Sequence, residues 1–221
     1  MNIRLDQLMT VDPLTEHQRE AFDAWRAGDN LAMVGTAGTG KTFLALYLAL
    51  EEVMDKSSPY ETVKIIRSVV PTRDVGYLPG TIEDKLSAFT GPYRQITSEL
   101  FNDARAYTKL EHNGYISFES TSYIRGVSYD NSIIVVDECQ NLNFHELDSV
   151  ITRLGQSSKI IFSGDYKQSD FKNDKERTGI NTFLTVLEQM KHFTVLEFTW
   201  EDIVRSGLVR DYIMTKEWMG L

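Results

Sequence analysis

The residues with the clearest chemical purpose form a glycine-rich segment, GTAGTGKT, at positions 35–42. It matches the phosphate-loop pattern G-x-x-x-x-G-K-[ST], and it lies between an apolar strand pattern and a helical pattern. Glycines let the backbone bend around a phosphate, and the N-terminus of the next helix attracts negative charge. The pattern assigns the catalytic ammonium of Lys41 to the β- and γ-phosphates of a nucleotide, and the Thr42 hydroxyl to a magnesium ion. The predicted nucleotide-binding residues of the loop are Gly35, Thr36, Ala37, Gly38, Thr39, Gly40, Lys41 and Thr42.

A second candidate is an acidic pair that follows four apolar β-branched residues. Residues 133–136 predict a buried strand, which would deliver Asp137 and Glu138 to the carboxyl edge of a sheet, where ligands bind in such folds. We expect Asp137 to hold the magnesium ion and Glu138 to polarise the attacking water as general base. An acidic strand end alone is equally typical of a solvated turn. Its place after the phosphate loop favours catalysis and predicts hydrolysis of ATP.

Two glutamines are weaker candidates. Gln168 lies in SGDYKQSD, after a further strand pattern, where its amide could contact the γ-phosphate; a plain polar turn explains the segment equally well. Gln18 precedes the first strand, and its amide could read the adenine edge. Gln18 also forms a capping box with Thr15 at a helix start, and the two roles can coexist.

Arginines form a fourth group of candidates, because the transition state of phosphoryl transfer needs positive charge at the γ-phosphate. Arg205, Arg153 and Arg125 are each a possible arginine finger. A surface salt bridge is the plainer interpretation of each.

The elements that must position these residues are read from the pattern of apolar segments. Solidly apolar strands between helical patterns predict an α/β fold with a mainly parallel central sheet and helices on both faces. The predicted strands are residues 31–34, 63–67, 115–118, 133–136, 159–162 and 194–198, and the predicted helices are residues 15–28, 42–50, 93–110, 143–154 and 202–217. We expect a long loop over 71–92 with a helix from about residue 81, and a mobile loop over 167–179. One domain is expected at 14–221, behind a flexible leader at 1–13.

Composition narrows the function. Of the 221 residues, 42% are hydrophobic and 25% are charged, as in a soluble globular protein. The single cysteine, Cys139, excludes an intrachain disulfide, and no membrane span or export leader is evident, so we expect a cytoplasmic protein without a membrane partner. The net charge of -9 argues against a broad basic surface for duplex DNA but leaves room for a narrow basic channel.

Taken in order, the motifs resemble the PhoH-like family of phosphate-starvation-inducible P-loop ATPases. The resemblance runs over about residues 14–215 and is carried by GTAGTGKT, RSVVPTRDVGYLPGTIEDKL, SYIRG, IIVVDECQN, TRLGQSSKIIFSGDYKQSD and EDIVRSGLVRDYI. VGYLPG at residues 75–80, with Lys85 after it, is more family-specific than the phosphate loop. The run DECQN resembles the family's DEAQN with Cys139 in the alanine position. Short single-domain members of this kind resemble bacteriophage-encoded ones.

The resemblance implies a RecA-like core related to the N-terminal half of superfamily 1 helicases, with ATP and Mg²⁺ as cofactors and RNA as a partner. Gln168 would match the family's motif III glutamine. EDIVR would match its Asp-Val-Val-Arg, which ranks Arg205 above the other two arginines. The family's Arg-Gly-Arg-Thr reads Arg-Gly-Val-Ser at residues 125–128, so a second arginine that could grip nucleic acid or a neighbouring subunit is missing here.

A helicase holds its nucleotide between two RecA-like lobes, and this chain has room for one. We therefore hypothesise a homo-oligomeric ring, most simply a hexamer, in which Arg205 of one subunit reaches the nucleotide of the next. The function that follows is a magnesium-dependent ATPase coupled to single-stranded nucleic acid, RNA rather than DNA. The alternative is a regulatory or assembly ATPase that binds no nucleic acid, which the acidic composition favours.

Overall fold

The computed structural model describes residues 3–68, 89–121, 124, 126, 128–165 and 174–219, with the backbone alone at 174–178. The strands in these ranges are β1 Asn30–Gly35, β2 Thr62–Arg67, β3 Ile116–Ser120, β4 Ser132–Val136, β5 Lys159–Gly164 and β6 Phe193–Phe198. The α-helices are α1 Glu16–Arg26, α2 Lys41–Met54, α3 Gly91–Phe101, α4 Ala106–His112, α5 Phe144–Ile151, α6 Asp174–Glu188 and α7 Gly207–Trp218. Short 3-10 turns lie at Leu5–Gln7, Cys139–Asn141 and Trp200–Asp202.

The strands form one sheet in the order β3-β2-β4-β5-β1-β6, and each neighbouring pair is parallel. This confirms the predicted α/β architecture. Because β5 lies between β1 and β4, the carboxyl ends of these three strands meet at one edge of the sheet. That edge carries the phosphate loop after β1, Asp165 after β5 and Asp137 after β4.

Helices cover the sheet on both faces because successive apolar residues of its strands point to opposite faces. In β1, Leu31 and Met33 belong to the apolar cluster under α1–α4, whereas Ala32 and Val34 belong to the cluster under α5 and α6. β4 alternates between the two clusters in the same way. Burial on both faces explains why the strands read as continuous apolar runs in the sequence.

The prediction of one helix over residues 93–110 is wrong, since two helices occupy this segment. α3 ends at Phe101 because Asn102 turns the chain with a left-handed φ of 48°. The Asp103 carboxylate then accepts a hydrogen bond from the Arg105 backbone N–H at 2.9 Å, just before α4 begins. Asparagine tolerates the left-handed conformation better than other non-glycine residues do, so it is a physical stop signal here.

Two further boundaries differ from the sequence prediction. The helix expected from residue 202 begins at Gly207, since Asp202 belongs to a 3-10 turn that the Thr199 side chain caps. The loop expected over 167–179 is wrong from Asp174 onward, where α6 begins. The helical signal was the spacing of Ile180, Phe183 and Leu187, which are all buried. The predicted loop and helix start over 71–92 fall mainly on residues 69–88, which lie outside the described ranges.

The N-terminal segment, expected to be a flexible leader, packs on the domain. Ile3 is buried in the apolar cluster under α1–α4, and Leu5, Leu8 and Val11 pack against the same cluster. The Met9 backbone N–H also donates to the Leu100 carbonyl at 2.8 Å. None of the helices in the described part of the chain is long and apolar enough to cross a membrane.

Candidate nucleotide and magnesium site

The phosphate loop, residues 35–42, joins β1 to α2, as the sequence predicts. Its turn comprises Gly35, Thr36, Ala37, Gly38, Thr39 and Gly40, and its last two residues begin α2. At its start the chain presses against β6. A Cβ built at Gly35 would lie 2.1 Å from the Phe198 carbonyl oxygen, and the φ of Gly35 is +114°, so only glycine fits. The Thr36 N–H donates to the same carbonyl at 2.9 Å, which fixes the entry of the loop.

Lys41, the first residue of α2, points back into this loop. Its Nζ donates to the carbonyls of Gly35 at 2.9 Å and Thr36 at 2.6 Å, and to the Thr39 hydroxyl at 3.2 Å. Burial lowers the pKa of Lys41, and the charge of Asp165 is the main opposing effect. A buried cation held by neutral acceptors is suited to a nucleotide phosphate, whose charged oxygens are stronger acceptors.

Asp137 stands beside the loop, at the end of β4, and is 3% exposed. The Thr42 hydroxyl donates to its Oδ1 at 2.8 Å, and the Tyr93 hydroxyl donates to its Oδ2 at 2.8 Å. Burial raises the pKa of Asp137, as does the charge of Glu138, while the hydrogen bonds from Thr42 and Tyr93 lower it. The fold thus brings the two predicted metal ligands, Thr42 and Asp137, into direct contact.

These oxygen donors fit magnesium, which prefers hydroxyl and carboxylate oxygens and keeps several water ligands. Thr42 and Asp137 would hold the ion. No group of three or more His, Cys, Asp or Glu side chains could hold a metal within the described ranges. At nucleotide sites magnesium typically takes its other ligands from substrate phosphates and water.

Glu138, the predicted general base, has a left-handed backbone with a φ of 52°. Its Oε2 accepts a hydrogen bond from Gln140 Nε2 at 2.6 Å. Gln140 is 2% exposed, and its Oε1 accepts from the Asp165 N–H at 3.0 Å. One buried amide thus joins the end of β4 to the end of β5. The neighbouring Cys139 is buried, as expected for a packing residue, and burial raises the pKa of its thiol to about 12.

Gln18 lies against the phosphate loop from the α1 side. Its Nε2 donates to the Thr39 carbonyl at 3.1 Å, and its Oε1 accepts from the Leu14 N–H at 2.8 Å. Thr15 caps α1 as predicted, accepting from the Gln18 N–H at 3.4 Å, but the Gln18 side chain bonds Leu14 rather than closing the box on Thr15. The fold therefore places Gln18 beside the nucleotide loop, and contact with adenine stays a prediction.

The segment after β6 wraps the other side of the loop. The Val204 N–H donates to the Gly38 carbonyl at 3.2 Å. A Cβ built at Gly38 would lie 3.1 Å from both Arg205 Cγ and Ile213 Cδ1. Asp202 anchors this segment to α1, because its carboxylate lies 2.7 Å from His17 Nδ1. Arg205 thus lies beside the loop of its own chain, whereas the sequence hypothesis assigned it to a neighbour's nucleotide.

The other candidates are placed differently. The Arg153 carbonyl accepts from the Tyr129 N–H, ahead of the start of β4, so Arg153 lies at the opposite edge of the sheet from the phosphate loop. Gln168 and Arg125 lie outside the described residues.

Sequence reasoning missed three residues of the site. Gln140 had a signal, since it belongs to the DECQN run that carries the family resemblance. Arg67 had the same kind of signal, since it begins the run RSVVPTRDVGYLPGTIEDKL. Tyr93 had none, because its contact depends on how α3 meets the end of β4. Burial raises the pKa of the Tyr93 hydroxyl, and the nearby charge of Arg67 opposes that rise. Burial opposes ionisation of Arg67, but the neighbouring Tyr93, Glu138 and Asp137 raise its pKa.

The loop, its lysine and the paired Thr42 and Asp137 define the class of the protein as a P-loop NTPase. Residues 10–216 match the sequence model of a protein family that is described as "PhoH-like protein", and the chain belongs to that family. A PhoH-like protein of Mycobacterium leprae is 31% identical over 214 residues, which are 96% of this chain and 60% of that protein. Protein PhoH2 of Bacillus subtilis is 39% identical over 144 residues, 63% of this chain and 32% of that protein. The chain thus spans less than two thirds of the length of either relative.

A solved structure extends the likeness in fold. The large terminase of the thermophilic bacteriophage D6E, in complex with ADP, superposes with a TM-score of 0.51 at 14% identity. The match covers 90% of this chain and 49% of that chain. The RecA-like α/β fold implied by the family resemblance is confirmed.

Proposed function

We propose that this protein is a magnesium-dependent ATPase that hydrolyses ATP to ADP and phosphate. The observation that supports this proposal most directly is the 2.8 Å hydrogen bond from Thr42 Oγ1 to Asp137 Oδ1, which joins the phosphate loop to the acidic end of β4. The D6E terminase, which has the same fold, was solved with ADP, and this supports a similar nucleotide here.

Each residue then has a role. Loop N–H groups and Lys41 bind the β- and γ-phosphates, with Gln18 beside the base. Thr42 and Asp137 hold magnesium, which neutralises charge on the phosphates when bound. Glu138 takes the proton of a water whose oxygen attacks the γ-phosphorus, as the bond from that phosphorus to the β-phosphate oxygen breaks. We assign Gln168 to the γ-phosphate.

Arg205 supplies the remaining positive charge. Its contact with Gly38 of the same chain supports a role at its own nucleotide. Its side chain is exposed, so it can move toward a γ-phosphate or face a neighbouring subunit.

We further propose that hydrolysis is coupled to single-stranded nucleic acid, RNA rather than DNA, and that the chain works in the cytoplasm as a homo-oligomeric, hexameric ring. The family resemblance supports the coupling, and the exposed side chain of Arg205, which could face a neighbouring subunit, supports the ring. The second candidate is a regulatory or assembly ATPase without nucleic acid, which the net charge of -9 favours.

The test compares wild type with Glu138→Gln, with Glu111→Gln as the control, since Glu111 is an exposed residue of α4. ATP turnover is measured with and without single-stranded RNA and DNA, and mass by light scattering. We expect Glu138→Gln to bind nucleotide but to lose about 10²- to 10⁴-fold in kcat, the usual contribution of a general base. Wild type should form a ring and respond more to RNA than to DNA. Turnover that neither strand alters supports the regulatory candidate, and absent turnover in wild type overturns the ATPase.

A further inference from the structure

Tyr93 is a buried residue that touches the magnesium site from outside the family motifs. It lies in the first turn of α3, directly after Pro92, and is fully buried. Its hydroxyl donates to Asp137 Oδ2 at 2.8 Å, while Thr42 donates to Oδ1 at the same distance. The two oxygens of the Asp137 carboxylate are therefore held separately, one by the phosphate loop and one by α3.

The packing around Tyr93 leaves its hydroxyl little freedom. Its ring lies 5.7 Å from the ring of Phe118 on β3, within the apolar cluster under α1–α4. The side chain of Arg67, at the end of β2, brings positive charge near both the Tyr93 hydroxyl and Asp137. Asp137 follows Val135 by two residues, so its side chain continues on the face of the sheet that α3 covers.

We propose that Tyr93 is a positioning residue that holds the Asp137 carboxylate with Oδ1 toward Thr42, and so sets the affinity of the nucleotide site for magnesium. The inference rests on the proposed function, because it assigns the ion to Thr42 and Asp137. Tyr93 itself touches neither nucleotide nor metal.

The physical basis is the way outer hydrogen bonds orient metal ligands. A carboxylate that binds a metal through one oxygen keeps its orientation when its other oxygen is bonded, and removing such a partner typically costs 10–100-fold in metal affinity. Without the Tyr93 hydroxyl, Oδ2 would lose its 2.8 Å donor in a site where Asp137 is 3% exposed. The carboxylate would then turn to recover hydrogen bonds, and Oδ1 would leave the position set by Thr42.

Tyr93→Phe removes only the hydroxyl, and the chain offers a matched control in Tyr107→Phe. Tyr107 lies on the adjacent helix α4 and is 2% exposed, and its hydroxyl has no hydrogen-bond partner among the residues that the structure describes. Both substitutions delete a buried phenolic oxygen from the same pair of helices. Only the first removes a bond to the metal site.

The experiment measures binding of a fluorescent, non-hydrolysable ATP analogue in EDTA and across a magnesium titration, followed by magnesium dependence of turnover. We expect Tyr93→Phe to raise the half-saturating magnesium concentration roughly 10- to 100-fold. Its affinity for the analogue in EDTA should match wild type, which would show that the loop is folded. Tyr107→Phe should match wild type in both conditions.

Two outcomes separate the proposals. If magnesium strengthens analogue binding equally in wild type and Tyr93→Phe, the positioning role is overturned while the nucleotide site stands. If wild type binds no analogue at any magnesium concentration, the proposed function fails. A Tyr93→Phe protein with reduced affinity in EDTA as well as in magnesium would show a general packing role and would also overturn the inference.

Discussion

The two flanks of the phosphate loop are built in opposite ways. On the acidic flank, Thr42, Tyr93 and Asp137 form a hydrogen-bonded group, with Asp137 3% exposed and Tyr93 fully buried. On the C-terminal flank, the loop meets Val204, Arg205 and α7, a helix in which no residue is buried. Leu208 and Trp218 of that helix are 83% and 89% exposed. One flank is part of the core, and the other rests on the surface.

This difference shows which part of the site can move. Groups held by buried hydrogen bonds and packing keep their geometry until the domain unfolds, whereas segments with few buried contacts open at low free-energy cost. The acidic flank is thus suited to constant placement of magnesium and water. The C-terminal flank can respond to the phosphate or to a neighbouring subunit.

The largest expected effect tests the exposed flank. Arg205→Ala should lower kcat by about 10³-fold, because an arginine finger stabilises charge on the γ-phosphate in the transition state. Arg210→Ala, on α7, is the matched control and should leave turnover unchanged. The measurement is steady-state ATP turnover by each variant.

A mixing experiment then decides which chain Arg205 serves. Arg205→Ala and Glu138→Gln chains are combined under conditions that exchange subunits. If Arg205 acts on its own nucleotide, as its contact with Gly38 suggests, neither chain has a complete site and the mixture stays inactive. Recovery of turnover would show that Arg205 acts on the nucleotide of a neighbouring subunit. The C-terminal flank of each site would then be supplied by a second copy of the chain.

The next effect concerns the buried flank. Gln140→Ala removes the amide that bonds Glu138 Oε2 and the Asp165 N–H. We expect kcat to fall roughly 10- to 100-fold, because small misplacement of a reacting group has effects of this size. Nucleotide affinity should stay close to that of wild type, since these two hydrogen bonds run to Glu138 and Asp165 rather than to the phosphate loop.

Gln140→Glu sharpens this test through pH. The new carboxylate would lie beside Glu138, and like charges raise the pKa of one member of such a pair. The acidic limb of the pH–rate profile should therefore move to higher pH. An unchanged profile together with unchanged kcat in Gln140→Ala would show that the amide does not position Glu138.

Much of the acidic flank could be predicted from sequence, for a physical reason. Lys41, Thr42, Asp137 and Glu138 each adjoin a strand–loop boundary that local apolar patterns reveal, and parallel strands bring such boundaries to one edge. The fold class, the sheet and the meeting of Thr42 with Asp137 follow from these local signals.

The rest depends on contacts between distant segments. Tyr93 meets Asp137 across 44 residues, and no local pattern specifies that contact. Arg205 was recognised by its motif, but its place beside Gly38 depends on the backbone bond from Val204 and on the packing of Ile213 of α7 beside the same glycine. The sequence prediction set that helix start five residues too early, because the 3-10 turn ending at Asp202 has an N-cap pattern similar to that of an α-helix.

The smallest expected effect is on the stability of the domain, and it compares a leucine of the buried core with a leucine of the C-terminal flank. Leu46 of α2 is fully buried in the apolar cluster under α1–α4, and Leu46→Ala should lower the free energy of unfolding by about 2–5 kcal/mol because it leaves a cavity. Leu208→Ala on α7 should change it by less than about 0.5 kcal/mol, since the side chain already faces solvent. Urea denaturation at low protein concentration measures both. A large loss for Leu208→Ala would show that α7 is held by the domain as firmly as the acidic flank, and the contrast between the flanks would collapse.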